Sequence, residues 1–356
     1  MRKSSNVTQA QIAKMLNLST VTVSKALRNH PDISPETIKK IKQLANKLGY
    51  TPDLIARALS SRRSNIIGVV VPEIDHTFFS AVVNGISSVA KEFEYQIVLT
   101  VSQEDEKREL ENLKTLIAMR VDGILISISQ TTQNFEIFHT IKKRKIPLVF
   151  FDRNVPELGF SAVVVDDRGG AKQAVEYAIG QGYTKIAHFA GPQHLLIARE
   201  RCAGYCDALK ANGIEINPDW IVPCDLSEEG GYQGFKKLLQ HPPLPEVIFG
   251  ANDPIALGVY DAAKEAGLRI PEDLGVIGFS DNIISRYLSP PMTTVLQPAV
   301  EIGKTACRLL LEEIQSTEPC STQLKVVPTQ LIIRGSCLKL AQTKVESAMN
   351  MNRSVH

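Results

Sequence analysis

From residue 65 onward, short apolar runs alternate with longer amphipathic ones. The runs at 66–71, 96–101, 123–128, 148–151, 186–189, 247–249 and 276–279 read as strands. Between them, 78–93, 107–119, 169–179, 199–212, 228–239 and 255–266 place apolar side chains at helical spacing. Strands that are apolar throughout, separated by helices, predict a parallel sheet covered on both faces. This body is about twice the length of a common domain, so two such sheets are expected. The second begins after the Val163–Val165 run. The alternation breaks near Pro290 and Pro291, and 294–315 reads as a strand edge followed by a long helix.

Three shorter amphipathic helices precede the body. In residues 8–28, TQAQIAKMLNLSTVTVSKALR, the side chains of Ile12, Ala13 and Leu16 share one face. Asn17 tolerates a left-handed turn. Leu18 plugs the small core, and Ser19 caps a second helix through its hydroxyl. Val23, Ala26 and Leu27 bury that helix, leaving Thr20, Val21, Thr22, Ser24, Lys25 and Arg28 to face outward. Ser34, Pro35 and Glu36 open a third helix, and Gly49 ends it. A second helix with that outer face fits the major groove of DNA. A plain helical hairpin in a core is the alternative. Charge favours DNA: residues 1–63 hold 12 Lys and Arg against 3 Asp and Glu, whereas the whole chain nets only +2. A basic head on an acidic body points to a polyanionic partner for the head. Residues 51–60 (TPDLIARALS) carry helix-start signals at Thr51, Pro52 and Asp53, but a helix that short is marginal alone.

From about Val7 to about Arg334 the chain resembles the lactose-repressor/galactose-repressor family of transcription regulators. The family's head pattern is matched by Thr8, Ala13, Asn17, Leu18, Ser19, Thr22, Val23, Ser24 and Lys25. Asn17 stands where the family has a turn glycine. Lys25 replaces an arginine and lacks its planar fork. The resemblance implies that Thr20 and Val21 choose the operator, with Arg28 and Asn29 completing the DNA-binding set. It implies a hinge helix and linker over 52–63, the helix ordered when two subunits meet on DNA. There Leu59 wedges into the minor groove and Ala56 lets the paired hinges approach. The implied fold class is α/β: an all-α helix-turn-helix head (1–51), the hinge, and a periplasmic-binding-protein-like body (64–340). That body has two doubly wound parallel-sheet subdomains, 64–163 with 293–325 and 164–292 with 326–340, joined by three crossovers. Residues 341–356 are expected to be a disordered tail.

The body also resembles periplasmic ribose- and galactose-type sugar-binding proteins. Sugar sites set aromatic planes against the ring and amides, carboxylates or guanidinium groups against the hydroxyls. The resemblance assigns Phe78 and Phe79 to ring stacking. It assigns Asp152, Arg153, Arg201, Asn252 and Gln297 to polar contacts, all at strand ends, where ligands of open α/β sheets sit. The family has Asp directly after Gly-Phe/Tyr; here Ser280 takes that place and Asp281 follows, so both are candidates. The alternatives are a helix-capping Asp253 and a core role for Phe78 or Phe79. Leu195, Leu196 and Ile197 make apolar the loop where the resembled purine-type regulators place polar ligand contacts, which disfavours a nucleobase; a monosaccharide or sugar acid is the leading expectation, with a phosphosugar or a phosphoprotein corepressor still open.

Other function classes find little support. No Gly-x-Gly-x-x-Gly follows a strand, and no P-loop occurs. His76, His139, His188, His194 and His241 lack ligand spacing, and Cys202 and Cys206 read as packing residues. The acidic clusters at 104–106 and 166–167 read as solvated faces and helix starts. No cofactor or metal is expected. Without a signal peptide or an apolar segment of about 18 residues, a cytoplasmic protein with reduced thiols and no membrane partner is expected. A sugar-transport binding protein would share the body but not the head, and an α/β enzyme would need catalytic groups the sequence does not offer. The expectation is a homodimeric transcriptional regulator, a repressor, that binds pseudo-palindromic operator DNA. A sugar-like effector in the interdomain cleft would shift it between DNA-competent and incompetent states.

Overall fold

Thr8 starts the first helix with a reciprocal cap. Its hydroxyl accepts from the Gln11 amide, and the Gln11 side chain accepts from the Thr8 amide at 2.8 Å. Helix α1 (Gln9–Leu16) ends at Asn17, which adopts φ 53°, as its small polar side chain permits. Helix α2 (Thr20–Leu27) begins where the Ser19 hydroxyl accepts from the Thr22 amide at 3.0 Å. Helix α3 (Pro35–Lys47) is capped by Ser34. Ile12, Val23, Ala26 and Ile41 have no exposed surface and form one small core. The computed structural model describes residues 7–27, 29–50, 63–75, 77–318 and 320–339, in two compact units divided between Ser64 and Asn65. Arg28, the proposed hinge residues Ala56 and Leu59, His76 and the 341–356 tail lie outside the described residues.

The second unit holds two six-stranded sheets. The first half of the chain supplies β1 (Ile66–Val71), α4 (Thr77–Glu92), β2 (Gln96–Val101), α5 (Glu106–Ala118), β3 (Gly123–Ile126), α6 (Glu136–Lys143), β4 (Leu148–Phe151) and β5 (Ser161–Val165). The second half supplies α7 (Asp167–Gly180), β6 (Ile186–Phe189), α8 (Leu196–Ala211), β7 (Ile221–Val222), α9 (Glu228–Leu238), β8 (Val247–Gly250), α10 (Asp253–Glu265), β9 (Gly275–Ser280) and β10 (Thr293–Leu296). Then come α11 (Ala299–Gln315), β11 (Leu324–Val327) and β12 (Gln330–Ile332). The first sheet runs β11-β5-β4-β3-β1-β2 and the second β12-β10-β9-β8-β6-β7. All pairings are parallel except β10 with β12, which is antiparallel. Strands β3, β4 and β8 are buried at every residue, as strands covered on both faces must be.

The chain crosses between the two lobes three times, but not where the sequence reading put the boundaries. Strand β5 stays in the first sheet to Val165, two residues past the expected end at 163. Strand β10 pairs with β9 in the second sheet, so the 293–325 segment expected in the first lobe starts only after it, with α11. Strand β11 belongs to the first sheet up to Val327, so the final return follows that residue rather than residue 325. The reason is the same each time. The chain changes lobe in the loop after a strand, at the carboxyl end of a sheet, and hydrophobicity alone does not reveal which sheet a strand joins.

Glycines set the helix spacing. A Cβ on Gly258 of α10 would lie 1.9 Å from the Glu228 carbonyl oxygen, and one on Gly231 of α9 would lie 2.0 Å from that of Ile255. Gly85 of α4 and Gly303 of α11 meet the carbonyls of Val300 and Val82 in the same way, at 2.2 and 2.0 Å. Gly204 of α8 meets Arg168 O at 2.2 Å. These are backbone contacts, so the neighbours cannot swing aside.

Three glutamates hold the loop after β3. Glu109 accepts from the Ser129 amide at 2.6 Å and the Thr132 hydroxyl at 3.0 Å. Glu104 accepts from the Gln130 amide at 2.6 Å, and Glu106 from the amides of Gln133 and Asn134. Burial pushes the Glu109 carboxyl up to about 7 against the pull of these donors. Among the described residues no helix is long and apolar enough to cross a membrane.

Two outcomes follow. Gly258→Ala should lower the urea midpoint by an amount equivalent to about 1–3 kcal/mol, whereas Gly180→Ala, with nothing within 4 Å of the new methyl, should be neutral or slightly stabilising. Equal midpoints for the two variants would remove the close-packing argument. The second outcome concerns pH. The unfolded chain releases the Glu109 proton near the ordinary carboxylate value, while the fold holds it up to about 7. Stability from this group is therefore full at low pH and lost as pH rises through 7. Glu109→Gln should be more stable than the wild type by about 1–3 kcal/mol at pH 8, with the gap shrinking toward pH 4. Chemical melts of both proteins across that range measure it, and a constant gap would contradict the raised carboxyl.

Candidate functional site

The outer face of α2 is open. Val21 is 63% exposed, and Thr20 beside it is also exposed. Thr22 shares a hydrogen bond with the capping Ser19 hydroxyl at 2.8 Å. The hydroxyl and the backbone amide of Thr8 are both spent on the reciprocal cap of α1. Lys25 pairs with Asp32 at 2.8 Å, and Asn29, at φ 56°, accepts from Lys42 at 2.6 Å. Surface pairs of this kind exchange readily for a phosphate or a base edge. A short helix that presents a branched methyl pair, hydroxyls and a cation has the groups needed to read thymine methyls and base edges.

In the second unit, a half-open cavity lies where the carboxyl ends of both sheets meet. Eight of the nine effector candidates line it: Phe78, Phe79, Asp152, Arg153, Arg201, Asn252, Ser280 and Gln297. Phe78 and Phe79 open α4. Their rings meet edge to face at 5.1 Å, and Phe79 also reaches Phe151 in the core. Phe79 is thus both wall and core. Asp152 follows β4 at φ 60° and accepts from the Gln297 amide at 3.2 Å. Asp152 belongs to the first lobe and Gln297 to the loop after β10, so this bond bridges the lobes. Burial raises the Asp152 carboxyl above the usual carboxylate range, against the pull of the Arg153 and Arg201 charges.

Arg153 is 4% exposed. Its Nη1 donates to Glu104 at 2.9 Å and to Ile128 O at 3.2 Å, and its guanidinium sits 5.8 Å from the Phe79 ring centre. Its Nε is buried with no hydrogen-bond partner. Arg201, on α8, stacks 3.9 Å from the centre of the Phe279 ring and donates to Asp167 at 2.8 Å and to Ala251 O. Burial holds Asp167 up at about 6 despite that arginine.

Three assignments change. Asn252 lines the cavity but is already engaged: its carbonyl caps α10 at the Ile255 amide, and its amide donates to Leu226 O at 3.1 Å. Asp281 does not line the cavity. It turns away to accept from Arg334 at 2.7 Å and Arg286 at 3.2 Å. The cause is the backbone: Ser280 adopts φ 137° and Asp281 φ 52°, which reverses the side chain that follows the strand. Asp253 does not cap; it is a buried strut that accepts from Thr294, the Asn282 amide and Ser285 at 2.6, 2.6 and 2.9 Å. The wall also includes Glu73, Ile197, Leu226, Pro254 and Asn282, which sequence reasoning did not nominate. Glu73 lies two residues past the end of β1, near the place that Asp152 takes directly after β4, so proximity to a strand end was a usable signal for it. Asn282 was reachable from the shifted GFSDN run. Of the other three, Ile197 and Pro254 lie in the first turns of α8 and α10 and Leu226 in the loop before α9, and their approach to the cavity depends on tertiary packing.

Further contacts cross between the lobes. Thr77 donates to Asn282 at 2.8 Å, and Gln130 accepts from the Leu226 amide at 3.0 Å while its carbonyl pairs with His194. His188 lies in the core, stacked between Tyr205 and Phe249 with Nδ1 on Phe249 O. A carbonyl only accepts, so the proton sits on Nδ1, and burial pushes the ring down to about 4. All six cysteines are free.

Comparison with known proteins converges on one family. Residues 64–335 match the family described as periplasmic binding proteins and sugar binding domain of LacI family. Residues 8–53 match the bacterial regulatory proteins, lacI family. The ribose operon repressor of Haemophilus influenzae is 33% identical over 333 residues, covering 94% of this chain and 99% of that protein. A LacI family transcriptional regulator from Enterococcus faecalis with bound ribose is 33% identical with a TM-score of 0.69, over 78% of this chain and 100% of its own. The lac repressor dimer bound to operator and the anti-inducer ONPF aligns with a TM-score of 0.81 at 27% identity, over 94% of this chain and 99% of its own. These relatives are transcriptional regulators, and the chain belongs to the LacI family of bacterial regulatory proteins.

Proposed function

We propose that this protein is a cytoplasmic, non-enzymatic repressor that binds a pseudo-palindromic operator as a homodimer and releases or tightens its hold when a sugar fills the cleft. The observation that carries the reading is the pairing of two devices in one chain. One is a basic helix-turn-helix with an open α2 face; the other is a cavity walled by the carboxyl ends of both sheets. A ligand that touches Arg153 from one lobe and Ser280 or Gln297 from the other favours the closed arrangement. It shifts DNA affinity only by its differential affinity for the two arrangements. Rings at Phe78 and Phe79 with guanidinium, carboxylate and amide groups opposite suit a sugar's two kinds of surface. The ribose named for the Haemophilus influenzae repressor and bound in the Enterococcus faecalis regulator supports a small sugar as the first compound to try.

The test is fluorescence anisotropy of the full chain on DNA selected from a random pool, with and without D-ribose, D-galactose and D-glucose. A changed operator affinity with at least one sugar supports the reading; selection of no DNA would end it. Affinity for the selected site should fall roughly a thousandfold between 50 and 200 mM salt if the head neutralises six or more phosphates. A flat response would contradict a basic reading head. Arg153→Lys keeps a cation facing Glu104 while withdrawing the unpaired Nε, so it should weaken the sugar response roughly 10- to 100-fold. Ligand-free operator affinity should stay unchanged. A full sugar response in that variant would place the effector elsewhere.

A further inference from the structure

The two arginines that face the cavity are already neutralised from behind. Glu104 lies 2.9 Å from Arg153, and Asp167 lies 2.7 Å from Arg201; neither carboxylate lines the cavity. On the wall itself, Asp152 and Glu73 add two more carboxylates, with Asp152 Oδ2 only 3.9 Å from Arg153 Nε. Around this ligand space, two guanidinium groups therefore stand against four carboxylates. The N-terminus of α10 borders the cavity, and such ends attract anions. Here it is closed by its own residues. Asn252 takes the Ile255 amide, Pro254 has no amide hydrogen, and Asp253 places a carboxylate in the first turn.

We propose that the cleft selects a neutral polyhydroxylated ligand and turns away the anionic counterparts, sugar acids and sugar phosphates. The inference rests on the sugar reading above and names the class of sugar. Its basis is donor and acceptor order. Arg153 Nε is a buried donor with no partner, and the Asp152 carboxylate beside it is an acceptor engaged by Gln297 at 3.2 Å. A hydroxyl both donates and accepts, so neighbouring hydroxyls can accept from Arg153 and donate to Asp152 together. A carboxylate or phosphate only accepts. It can reach the Nε of Arg153 only by facing Asp152, where like charges repel.

The experiment is calorimetric titration of the full chain with matched pairs: D-ribose and ribose 5-phosphate, D-galactose and D-galacturonate, D-glucose and glucose 6-phosphate. In the pair that contains the effector scaffold, the neutral member should bind about a hundredfold more tightly or better, the size expected of like-charge juxtaposition. An anionic member that binds as tightly as its neutral partner overturns the inference and leaves the sugar reading standing. Binding by no member of any pair overturns both. Glu104→Gln supplies the second readout. The amide keeps an acceptor for the Gln130 backbone but frees the charge of Arg153, so the variant should gain anion affinity and narrow the gap about tenfold or more. A merely structural role for Glu104 would weaken both members alike, and an unchanged gap would overturn the charge-balance account.

Discussion

The ion pair between Arg153 and Glu104 is the contact on which the cleft depends. Its partners have only 5% and 17% of their side chains exposed. Taking two charges out of water is costly, and their attraction compensates only when other donors and acceptors are also satisfied. Here they are. Glu104 also holds the Gln130 amide, and Arg153 also holds Ile128 O. The pair thus ties the end of β4 to the loop after β3 and fixes the guanidinium against the cavity. Because Gln130 itself reaches Leu226 and His194 across the lobes, one buried pair orients both a wall residue and a bridge.

The arrangement of the two lobes is partly self-supporting. Thr77–Asn282, Gln130–Leu226 and Asp152–Gln297 join the lobes through protein groups alone. Each is a single hydrogen bond, of the kind worth about 1 kcal/mol net. A ligand therefore acts on a balance that these bonds already bias, so a small difference in its contacts is enough to move the population.

Much of this was legible in the chain because it follows from local chemistry. The turn at Asn17, the caps at Ser19 and Ser34 and the all-apolar strands each depend on residues within a few positions of one another. The cavity was legible for a topological reason: side chains just past the carboxyl ends of parallel strands converge on one place, which is why Asp152 and Ser280 arrived there. What escaped was set by distant partners. The short strands β7, β11 and β12 are too brief and too exposed to carry a hydrophobic period. The lobe of β10 was decided by pairing with β9. Asp281 failed because two unusual backbone angles reverse it, and Asn252 carries a capping duty that its residue type announces but its neighbourhood in sequence did not.

The glycine contacts bear on how force travels through the body. Where α4 meets α11, α7 meets α8 and α9 meets α10, backbone lies on backbone with no side chain between to deform. Each lobe's helical layer is therefore stiff, and compliance is left to the three loops that carry the chain from one sheet to the other. A ligand gripping both lobes, as proposed above, would strain those loops rather than the lobes, as it would two plates joined by a triple strap. In such a device the lengths of the straps, more than the contents of either plate, set how far a small molecule's grip is transmitted.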